Sequence, residues 1–355
     1  MPRPFVSVLI DTYNHEKFIE QAITSVLEQK FPASDYEILV VDDGSTDRTP
    51  ELVKQFAPRV TYLAKENGGQ ASAFNFGIPK CRGDIVVFLD GDDWWEPGKL
   101  STVVAEFESQ AEIGAVGNGL YEVDETGKRM FVNIPDRRYS CHLRSREEAR
   151  HFLELRSFLG TSRLAIRRGV LERILPLPED LLVEADEFLA TVAVAMSGCV
   201  VLNQPLTSYR FHSGNQFQYT SSDERRRWRK AVSLDCLAKD LPPRLRAAGI
   251  PDEIVDFLTL PNWIDASRCR LALGRGWSWE TVRVERAAFH HAYKNASIGY
   301  HLFHTTVLAV AAVTPPKFFY RGREWYAKRQ LARLRGVIGT PVPSDSLVIR
   351  KAYGR

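Results

Sequence analysis

Cysteine is scarce in this chain, and no two cysteines stand in a CxxC spacing. The 355 residues contain five, at widely separated positions: Cys81, Cys141, Cys199, Cys236 and Cys269. A scattered, odd set of this kind argues against a disulfide framework and against a cysteine-based zinc site. It is typical of reduced thiols, so we expect a cytoplasmic protein.

Long apolar segments are also missing. The longest apolar run spans residues 302–313 and is interrupted by His304 and two threonines. A helix that crosses a bilayer needs about 20 apolar residues, so we expect no transmembrane helix. Residues 1–5 lead directly into a strand-like segment, and we expect no signal peptide.

Neither sign of charge dominates. Lysine and arginine total 47 against 44 acidic residues, a net charge of +3. So small an excess argues against a dedicated nucleic-acid-binding protein. Hydrophobic residues make up 44% of the chain, which excludes extended disorder and predicts a large buried core.

Strand and helix patterns alternate through the first third of the chain. Short apolar runs predict strands at 5–10, 36–41, 60–63 and 85–89, and helical periodicity predicts helices at 17–29, 47–56, 70–78 and 97–108. Pro97 suits the first turn of the last of these helices. The alternation predicts an open α/β sheet of parallel strands with right-handed crossovers.

The middle of the chain has a mixed pattern, and the remainder is helical and basic. We expect strands at 115–117, 162–166, 200–202 and 206–211, and a helix at 184–196. The resulting prediction is a catalytic domain at 1–220 and a helical, basic extension at 221–355.

Carboxylates gather after two of the predicted strands. Asp42 and Asp43 follow the second, and Asp90, Asp92 and Asp93 follow the fourth. Ligands of open parallel sheets bind outside the carboxyl ends of the strands. Like charges that converge there repel one another unless a cation neutralises them, and a hard divalent ion with oxygen ligands suits this role. The plainer alternative is that these aspartates start loops and cap helices.

Four stretches carry a family resemblance. They are VSVLIDTYN at 6–14, VVDDGSTD at 40–47, NGGQASAFN at 67–75 and FLDGDDWW at 88–95. In order and spacing they resemble the GT-A glycosyltransferases of family 2, over residues 5 to about 217. The resemblance implies a Rossmann-like GT-A fold, which is an open, mostly parallel sheet flanked by helices.

The same resemblance implies roles for the donor side of a site. The residues implied to bind a nucleotide sugar are Thr12, Tyr13, Asn14, Asp42, Asp43, Asn67, Gly68, Gly69, Asp90 and Gly91. Asp90 and Asp92 would form the DxD pair that holds Mn²⁺ or Mg²⁺. Such an ion stabilises the charge of a nucleoside diphosphate leaving group without proton transfer.

Two positions depart from the family pattern. Asp11 stands where proline is usual, and we expect this position to tolerate the change. Phe74 stands where many members carry arginine. A cationic contact to the nucleotide would therefore be missing or supplied by another residue.

The acceptor side resembles the family less closely. An inverting transfer needs a general base that takes the proton from the acceptor hydroxyl. The stretch at 183–190 aligns Asp186 with this base, with Glu184 and Glu187 as alternatives, since acids also favour first helical turns for structural reasons. The loop at 158–162 resembles the one that frames the acceptor.

The segment at 208–215 resembles a Tyr-Arg-x-His motif. His212 would approach the metal or the diphosphate, with a structural histidine as the alternative. Arg210 would contact phosphate or lie solvated at a strand end. His301 and His304 have the spacing of metal ligands, but no third ligand stands nearby, and we interpret them as structural.

The C-terminal region is basic and aromatic between residues 317 and 335. It contains seven basic residues and one acid, Glu324. A helix of this composition lies on an anionic membrane or packs on the catalytic domain with its basic face in solvent. Peripheral membrane contact is therefore one of two open interpretations.

These features predict an inverting, metal-dependent glycosyltransferase. It would move a sugar from a nucleotide-sugar donor to a hydroxyl acceptor on a sugar, a lipid-linked glycan or another molecule. The resemblance implies a part in bacterial cell-envelope polysaccharide, glycolipid or glycoconjugate assembly. One alternative is an inactive carbohydrate-binding or assembly protein of the same fold. The other is a sugar nucleotidyltransferase, which would require a glycine-rich loop after the first strand. A dinucleotide oxidoreductase is dismissed because no GxGxxG follows that strand.

Overall fold

The computed structural model describes residues 4–212, 224–274, 277–293 and 298–337. The chain forms two compact units. The first comprises Met1–Asn215 with Pro243–Ile254, and the second comprises Gln216–Pro242 with Val255–Arg355. The domain boundary predicted at residue 220 lies outside the described residues and stays a prediction.

Strands and helices alternate from the start of the first unit, in the predicted order. They are β1 (Val6–Thr12), α1 (Ile19–Leu27), β2 (Tyr36–Asp42), α2 (Thr49–Lys54), β3 (Val60–Ala64), α3 (Gln70–Gly77), β4 (Ile85–Asp90), β5 (Trp94–Trp95) and α4 (Lys99–Ser109). Pro97 was predicted to lie in the first turn of α4, and this prediction was wrong. Gly98 precedes the helix with φ of +85°, and the helix begins one residue later.

The middle of the chain completes the first sheet. Its elements are β6 (Ala115–Val123), β7 (Arg129–Asn133), β8 (Tyr139–Cys141), α5 (Arg146–Leu155), β9 (Ala165–Arg167), α6 (Arg168–Ile174), α7 (Ala185–Ser197) and β10 (Cys199–Arg210). Two predictions were wrong here. The strand expected at 162–166 begins only at Ala165, after a 3-10 turn at Thr161–Arg163. The strands expected at 200–202 and 206–211 are one strand, β10, whose pairing shifts around Pro205.

The strands form one sheet of ten, in the order β3-β2-β1-β4-β9-β6-β10-β5, with β7 on β6 and β8 on β10. Pairs among β3, β2, β1 and β4 are parallel, as is the pair of β6 and β10. β9 is antiparallel to both neighbours. The prediction of an open, mostly parallel sheet with flanking helices is confirmed.

The central strands are buried on both faces. From Val6 to Ile10 every residue of β1 is buried, and β2 and β4 are equally enclosed. Continuous apolar runs are typical of parallel strands that helices cover on both sides. The register aligns the carboxyl ends of the three strands, because Thr12 pairs with Asp42 and Asp11 pairs with Asp90.

The described residues from Glu224 onward are mainly helical, as predicted. The helices are α8 (Glu224–Ala247), α9 (Asp252–Leu273), α10 (Glu280–Tyr293), α11 (Ile298–Val313) and α12 (Pro316–Val337). Among the helices of the described ranges, none combines the length and apolar character that crossing a bilayer requires.

Two features hold the helices of the second unit together. Ile264, Val284 and Tyr320 belong to its apolar core. His304 stacks on Phe289 with ring centroids 3.8 Å apart, which fits the structural interpretation of this histidine.

Lys99 braces the centre of the large sheet from α4. Its side chain is completely buried, and Nζ donates to Asn118 Oδ1 at 2.7 Å, to the Ser162 carbonyl at 2.9 Å and to Thr207 Oγ1 at 3.0 Å. Burial lowers the pKa of Lys99 well below its ordinary value, and the nearby Arg163 lowers it further. One side chain thus joins β6, β10 and the turn that precedes β9.

We predict that Lys99→Met lowers the free energy of unfolding by on the order of 3 kcal/mol, because it removes three buried hydrogen bonds and leaves Asn118 Oδ1 without its donor. Urea unfolding measures the change, with Lys30→Met as the control, since Lys30 is exposed. Equal midpoints for the two variants would show that the brace contributes nothing.

Candidate active site

The motifs that follow β1, β2 and β4 meet at one edge of the sheet. The aligned register of these strands brings Thr12 beside Asp42 and Asp11 beside Asp90. The loop after β4 then carries Asp92 and Asp93. Short connections after buried strands therefore deliver several carboxyl groups to one place.

Asp90, Asp92 and Asp93 form the centre of this site. One carboxylate oxygen of each lies within 4.8 Å of those of the other two. Burial, followed by the charges of Asp11 and Asp92, raises the pKa of Asp90 well above its ordinary value. Burial and the charge of Asp92 raise the pKa of Asp93 to about 7. Without a cation, this cluster resists full ionisation.

Two histidines stabilise the charge of Asp92. His212 Nε2 lies 3.0 Å and His15 Nε2 lies 3.8 Å from Asp92 Oδ2. Burial alone would raise the pKa of Asp92, but His15 and His212 outweigh it and the pKa is lowered. Burial lowers the pKa of His15 despite the nearby Asp92. Asp92 is thus the member of the cluster that most readily carries a negative charge.

Asp11 is a fourth carboxyl group of the cluster. Burial, followed by the charge of Asp92, raises its pKa to about 8. The expectation that this position tolerates aspartate in place of proline stays a prediction. A buried carboxyl beside Asp90 changes the charge of the site, which a proline could not do.

The cluster has the chemistry that a divalent metal ion requires. Hard cations such as Mg²⁺ and Mn²⁺ prefer carboxylate oxygens. Among the described residues, Asp11 Oδ1 and Asp93 Oδ2 are buried atoms with no hydrogen-bond partner. A buried carboxylate oxygen without a donor is costly, and a bound cation would offset that cost. The residues present therefore fit such an ion.

Asp43 organises the glycine turn opposite this cluster. Its Oδ1 accepts hydrogen bonds from Lys65 Nζ at 2.7 Å and from the Gly68 amide at 2.9 Å, and its Oδ2 accepts from the Gly69 amide at 2.7 Å. The Asn67 side chain donates to the Asp43 carbonyl at 2.9 Å. The carboxylate is occupied by protein donors, so it acts on the pocket through the shape of the turn.

Asn14 joins the loops after β1 and β2, and Asp42 joins the second of these loops to β3. Asp42 accepts from the Ser45 amide and from the Tyr62 hydroxyl, each at 2.8 Å. Asn14 adopts φ of 56°, and its Oδ1 accepts from the Thr46 amide at 2.8 Å. Both side chains are used within the protein.

Thr12 and Tyr13 lie at the end of β1. Thr12 Oγ1 is 3.2 Å from His15 Nδ1, and Tyr13 is half-buried. The nucleotide roles implied for these residues and for Asp42, Asp43 and Asn14 stay predictions.

Two glycines of the motifs are required by their surroundings. Gly69 adopts φ of +86°, and a Cβ there would lie 2.9 Å from the Leu182 Cα. A Cβ on Gly91 would lie 2.6 Å from Thr12 Oγ1. No residue with a side chain fits either position without a shift of its neighbours.

Asp186 faces the acid cluster from the first turn of α7. Its Oδ2 accepts from the Thr161 amide at 3.0 Å and its Oδ1 accepts from the Glu187 amide at 2.8 Å. Burial raises the pKa of Asp186, and its charge contributes to the raised pKa values of Asp11 and Asp90. Asp186 and the carboxyl groups of the cluster thus share one electrostatic environment.

The two alternatives to Asp186 lie in different surroundings. Glu187 forms an ion pair with Arg156, with Oε1 and Nη1 2.8 Å apart. Glu184 is buried at the N-terminal boundary of α7 with φ of 62°. Glu187 is therefore committed to a structural pair, which favours Asp186 among the three.

Arg210 does not lie solvated at a strand end, which was one of the two roles predicted for it, while the phosphate contact stays a prediction. It is buried, its guanidinium packs between Phe18 and Trp94, and its Nε donates to the Asp92 carbonyl at 2.9 Å. Its amide donates to Asp93 Oδ1 at 2.9 Å. Arg210 thus holds the loop of the acid cluster in place. Residues 213–215 of the predicted motif lie outside the described residues.

Comparisons with known proteins agree with this geometry. The model of the glycosyl transferase family 2 matches residues 7–175. Over 225 residues the chain is 33% identical to a Nostoc sp. protein named uncharacterized glycosyltransferase alr2836, and the match covers 61% of this chain and 68% of that protein. The chain belongs to glycosyl transferase family 2. It is therefore a glycosyltransferase.

Two further comparisons extend the family assignment. The glycosyltransferase is 36% identical over 141 residues to the putative teichuronic acid biosynthesis glycosyltransferase TuaG of Bacillus subtilis, covering 38% of this chain and 54% of TuaG. The crystal structure of S. aureus TarS 1-349 in complex with UDP-GlcNAc superposes with a TM-score of 0.55 at 19% identity, covering 92% of both chains. At that identity the likeness confirms the GT-A fold and nothing finer.

Two residues of the site, His15 and Arg163, escaped the sequence-based predictions. Ser162 was predicted only as part of the loop that frames the acceptor, and its contact with Asp90 was not. Ser162 Oγ donates to Asp90 Oδ2 at 3.1 Å and accepts from the Asp90 amide at 3.0 Å. His15 follows the Thr-Tyr-Asn motif directly, so its place after a buried strand could have indicated it. Ser162 and Arg163 come from a turn that no periodicity predicts.

We predict that Asp11→Asn makes the metal-free glycosyltransferase more stable at high pH. The pKa of Asp11 is about 8 in the folded chain against an ordinary 3.8, so only the folded chain holds this proton between those values. Stability therefore falls as pH rises from about 4 to 8. Urea unfolding in EDTA should give the variant a gain over wild type that is larger at pH 9 than at pH 5 by on the order of 4 kcal/mol.

The exposed Asp256 provides the control for this prediction. Asp256→Asn should follow the wild-type pH dependence. Unfolding curves of Asp11→Asn and wild type that coincide at both pH values would contradict the raised pKa of Asp11.

Proposed function

We propose that this glycosyltransferase is an inverting enzyme that uses Mn²⁺ or Mg²⁺. It transfers a sugar from a nucleoside-diphosphate sugar to a hydroxyl group of an acceptor. The observation that carries the proposal is the cluster of Asp90, Asp92 and Asp93 at the carboxyl ends of the strands, with the carboxyl of Asp186 close enough to affect its charge. One site thus contains a cation-binding set and a separate base.

Asp90, Asp92 and Asp93 would hold the metal ion, with His212 beside Asp92. When bound, the ion supplies positive charge that stabilises the leaving nucleoside diphosphate. His212 Nε2 already contacts Asp92 Oδ2 at 3.0 Å, and Ser162 contacts both the amide and the carboxylate of Asp90. These contacts orient two of the three carboxylates, which a cation site requires.

Asp186 would act as the general base. Its raised pKa favours acceptance of a proton near neutral pH. As the acceptor oxygen attacks the anomeric carbon, its proton passes to the Asp186 carboxylate and the bond from that carbon to the diphosphate oxygen breaks. The attack comes from the face opposite the leaving group, so the anomeric configuration inverts and no covalent intermediate with the enzyme forms.

The donor is a nucleotide sugar, and the proposed setting is polysaccharide assembly at the bacterial cell envelope. The name of TuaG supports this setting through teichuronic acid biosynthesis. The TarS complex with UDP-GlcNAc supports the donor class. Peripheral contact with the cytoplasmic face of a membrane through the C-terminal region belongs to the same proposal, since it would place the enzyme near a lipid-linked acceptor.

We predict that Asp92→Asn and Asp186→Asn disable the enzyme in different ways. Asp92→Asn removes a carboxylate of the cluster, so Mn²⁺ should no longer raise the melting temperature and transfer should fall by about 10³-fold or more. Asp186→Asn keeps the cluster, so Mn²⁺ and nucleoside diphosphate should still bind within a few-fold of wild type while transfer falls by about 10³-fold. Calorimetry measures the binding of Mn²⁺ and nucleoside diphosphate, and product assays measure the rate of transfer.

Asp256→Asn again serves as the exposed control and should match the wild type. Wild-type turnover in either site variant would overturn the corresponding role. A product of unchanged anomeric configuration, measured by NMR, would overturn the inverting mechanism.

Arg163 would supply the cationic contact that the Phe74 position lacks. Phe74 is completely buried against Phe88, with ring centroids 5.2 Å apart, so it cannot reach a ligand. The guanidinium of Arg163 lies over the Tyr209 ring at 5.4 Å, and its buried Nε has no hydrogen-bond partner. Burial raises the pKa values of Asp93 and Asp186, and the positive charge of Arg163 opposes that rise. A cation so placed fits the diphosphate of the donor.

We predict that Arg163→Gln weakens nucleoside diphosphate binding about tenfold and leaves nucleoside binding unchanged, because only the phosphates contact the guanidinium. Calorimetry with UDP, GDP and dTDP, and with the corresponding nucleosides, measures this difference. The exposed Arg82, changed to glutamine, is the control. An equal loss of binding affinity for a nucleoside and for its diphosphate would exclude the contact between Arg163 and the phosphates.

A further inference from the structure

The second unit exposes an unusual amount of apolar surface. Among the described side chains, all but two of the exposed large hydrophobic residues belong to this unit. The two exceptions, Met130 and Val132, lie on β7 and are 39% and 43% exposed. Large exposed apolar surfaces in soluble proteins indicate contact with another molecule or a membrane.

Helix α11 contributes the continuous part of this surface. Leu302, Phe303, Val310 and Val313 are 66%, 60%, 46% and 69% exposed. At about 100° per residue these four positions fall within one sector of about 100°. The opposite sector contains His304, which packs on Phe289 of α10. The helix therefore buries one side and presents an apolar side to its surroundings.

The exposed side of α11 is also free of formal charge. The helix contains no Asp, Glu, Lys or Arg between Ile298 and Val313. Thr305 and Thr306 donate their hydroxyls to the carbonyls of His301 and Leu302, at 2.9 Å and 3.2 Å. Their polar groups are thus satisfied within the helix. A solvent-facing helix normally carries charged residues on its outer side, and this one does not.

The start of α12 adds aromatic and basic groups beside the apolar helix. Phe318 and Trp325 are 64% and 59% exposed, and their spacing of seven residues places them on one side of α12. Arg321 is exposed between them, and Lys317 precedes them. Aromatic rings together with basic groups are typical of segments at the boundary between lipid and water.

We propose that these residues dock the enzyme on an anionic lipid bilayer. The docking surface consists of Leu302, Phe303, Val310 and Val313 of α11 with Phe318 and Trp325 of α12. Helix α11 lies in the plane of the membrane, with its apolar side among the upper acyl chains, and Arg321 contacts anionic headgroups. The proposal moves the predicted membrane contact from the basic segment at 317–335 to an apolar helix, and it does not depend on the proposed reaction.

The dimensions of the surface favour a bilayer over a second copy of the chain. The row from residue 302 to residue 313 is about 17 Å long at 1.5 Å per residue, and one side chain or two wide. A specific protein interface buries about 800 Å² on each partner, which exceeds what so narrow a row offers. An interfacial helix needs only such a row and nearby basic groups.

Co-sedimentation of the full chain with vesicles tests the proposal. Wild type should bind vesicles of phosphatidylcholine with 30% phosphatidylglycerol at least tenfold more strongly than vesicles of phosphatidylcholine alone. The double variant Phe303→Glu/Val310→Glu should lose at least tenfold of this binding. Arg321→Glu should lose mainly the preference for the anionic lipid. Val132→Glu, on the exposed β7, is the matched control and should bind as wild type.

A second measurement uses the folded wild type without a substitution in α11. Brominated acyl chains should quench its tryptophan fluorescence, and Trp325→Phe should reduce that quenching. Failure of wild type to bind either vesicle, or equal binding by wild type and the double variant, would overturn the proposal. So would a wild-type dimer in sedimentation velocity that the double variant abolishes while vesicle binding stays unchanged.

Discussion

Repulsion among buried carboxyl groups is the constraint on which this site depends. Asp11, Asp90, Asp92 and Asp93 are brought together because parallel strands end at the same edge, and burial removes the water that would screen their charges. The protein alone answers this repulsion unevenly. Two histidines stabilise the charge of Asp92, while the pKa values of its neighbours are raised. An ion of charge +2 is the simplest partner for such a set, and it would offset the cost of burying Asp11 Oδ1 and Asp93 Oδ2 without a hydrogen-bond partner.

The surrounding fold holds these mutually repelling carboxyl groups in place through hydrogen bonds. Lys99 fixes the Ser162 carbonyl, and the Ser162 hydroxyl in turn contacts Asp90. On the acceptor side, Gln70 donates to Thr161 Oγ1 at 3.0 Å and accepts from the Ala185 amide at 2.9 Å. The glycine turn, the acceptor loop and the base helix are therefore one connected structure. If Asp186 is the base, as proposed, its position depends on the correct formation of the glycine turn at Asn67–Gly69.

The sequence predicted the parts of the protein that depend on local patterns. Buried strands are continuous apolar runs, and the acids that follow them must meet where parallel strands end, so the sheet and the cluster at Asp90 followed from spacing alone. The parts that were missed depend on tertiary contacts. The turn at Thr161–Arg163 has no periodicity, and Arg210 is held by Phe18 and Trp94, which are distant in sequence. The effect of Asp11 on the charge of the site depends on its neighbour on β4. The sequence of β1 alone does not identify that neighbour.

The apolar run at 302–313 shows where a sequence pattern is insufficient in principle. A run of twelve residues is too short to span a bilayer, and it suits a buried helix and an interfacial helix equally well. Only exposure separates the two, and Leu302, Phe303 and Val313 are each more than half exposed. Leaving these side chains in water brings no stability, and exposed apolar surface of this kind indicates contact with another molecule or a membrane. A lipid surface removes them from water at little structural cost, because the helix needs neither a complementary protein shape nor a longer span.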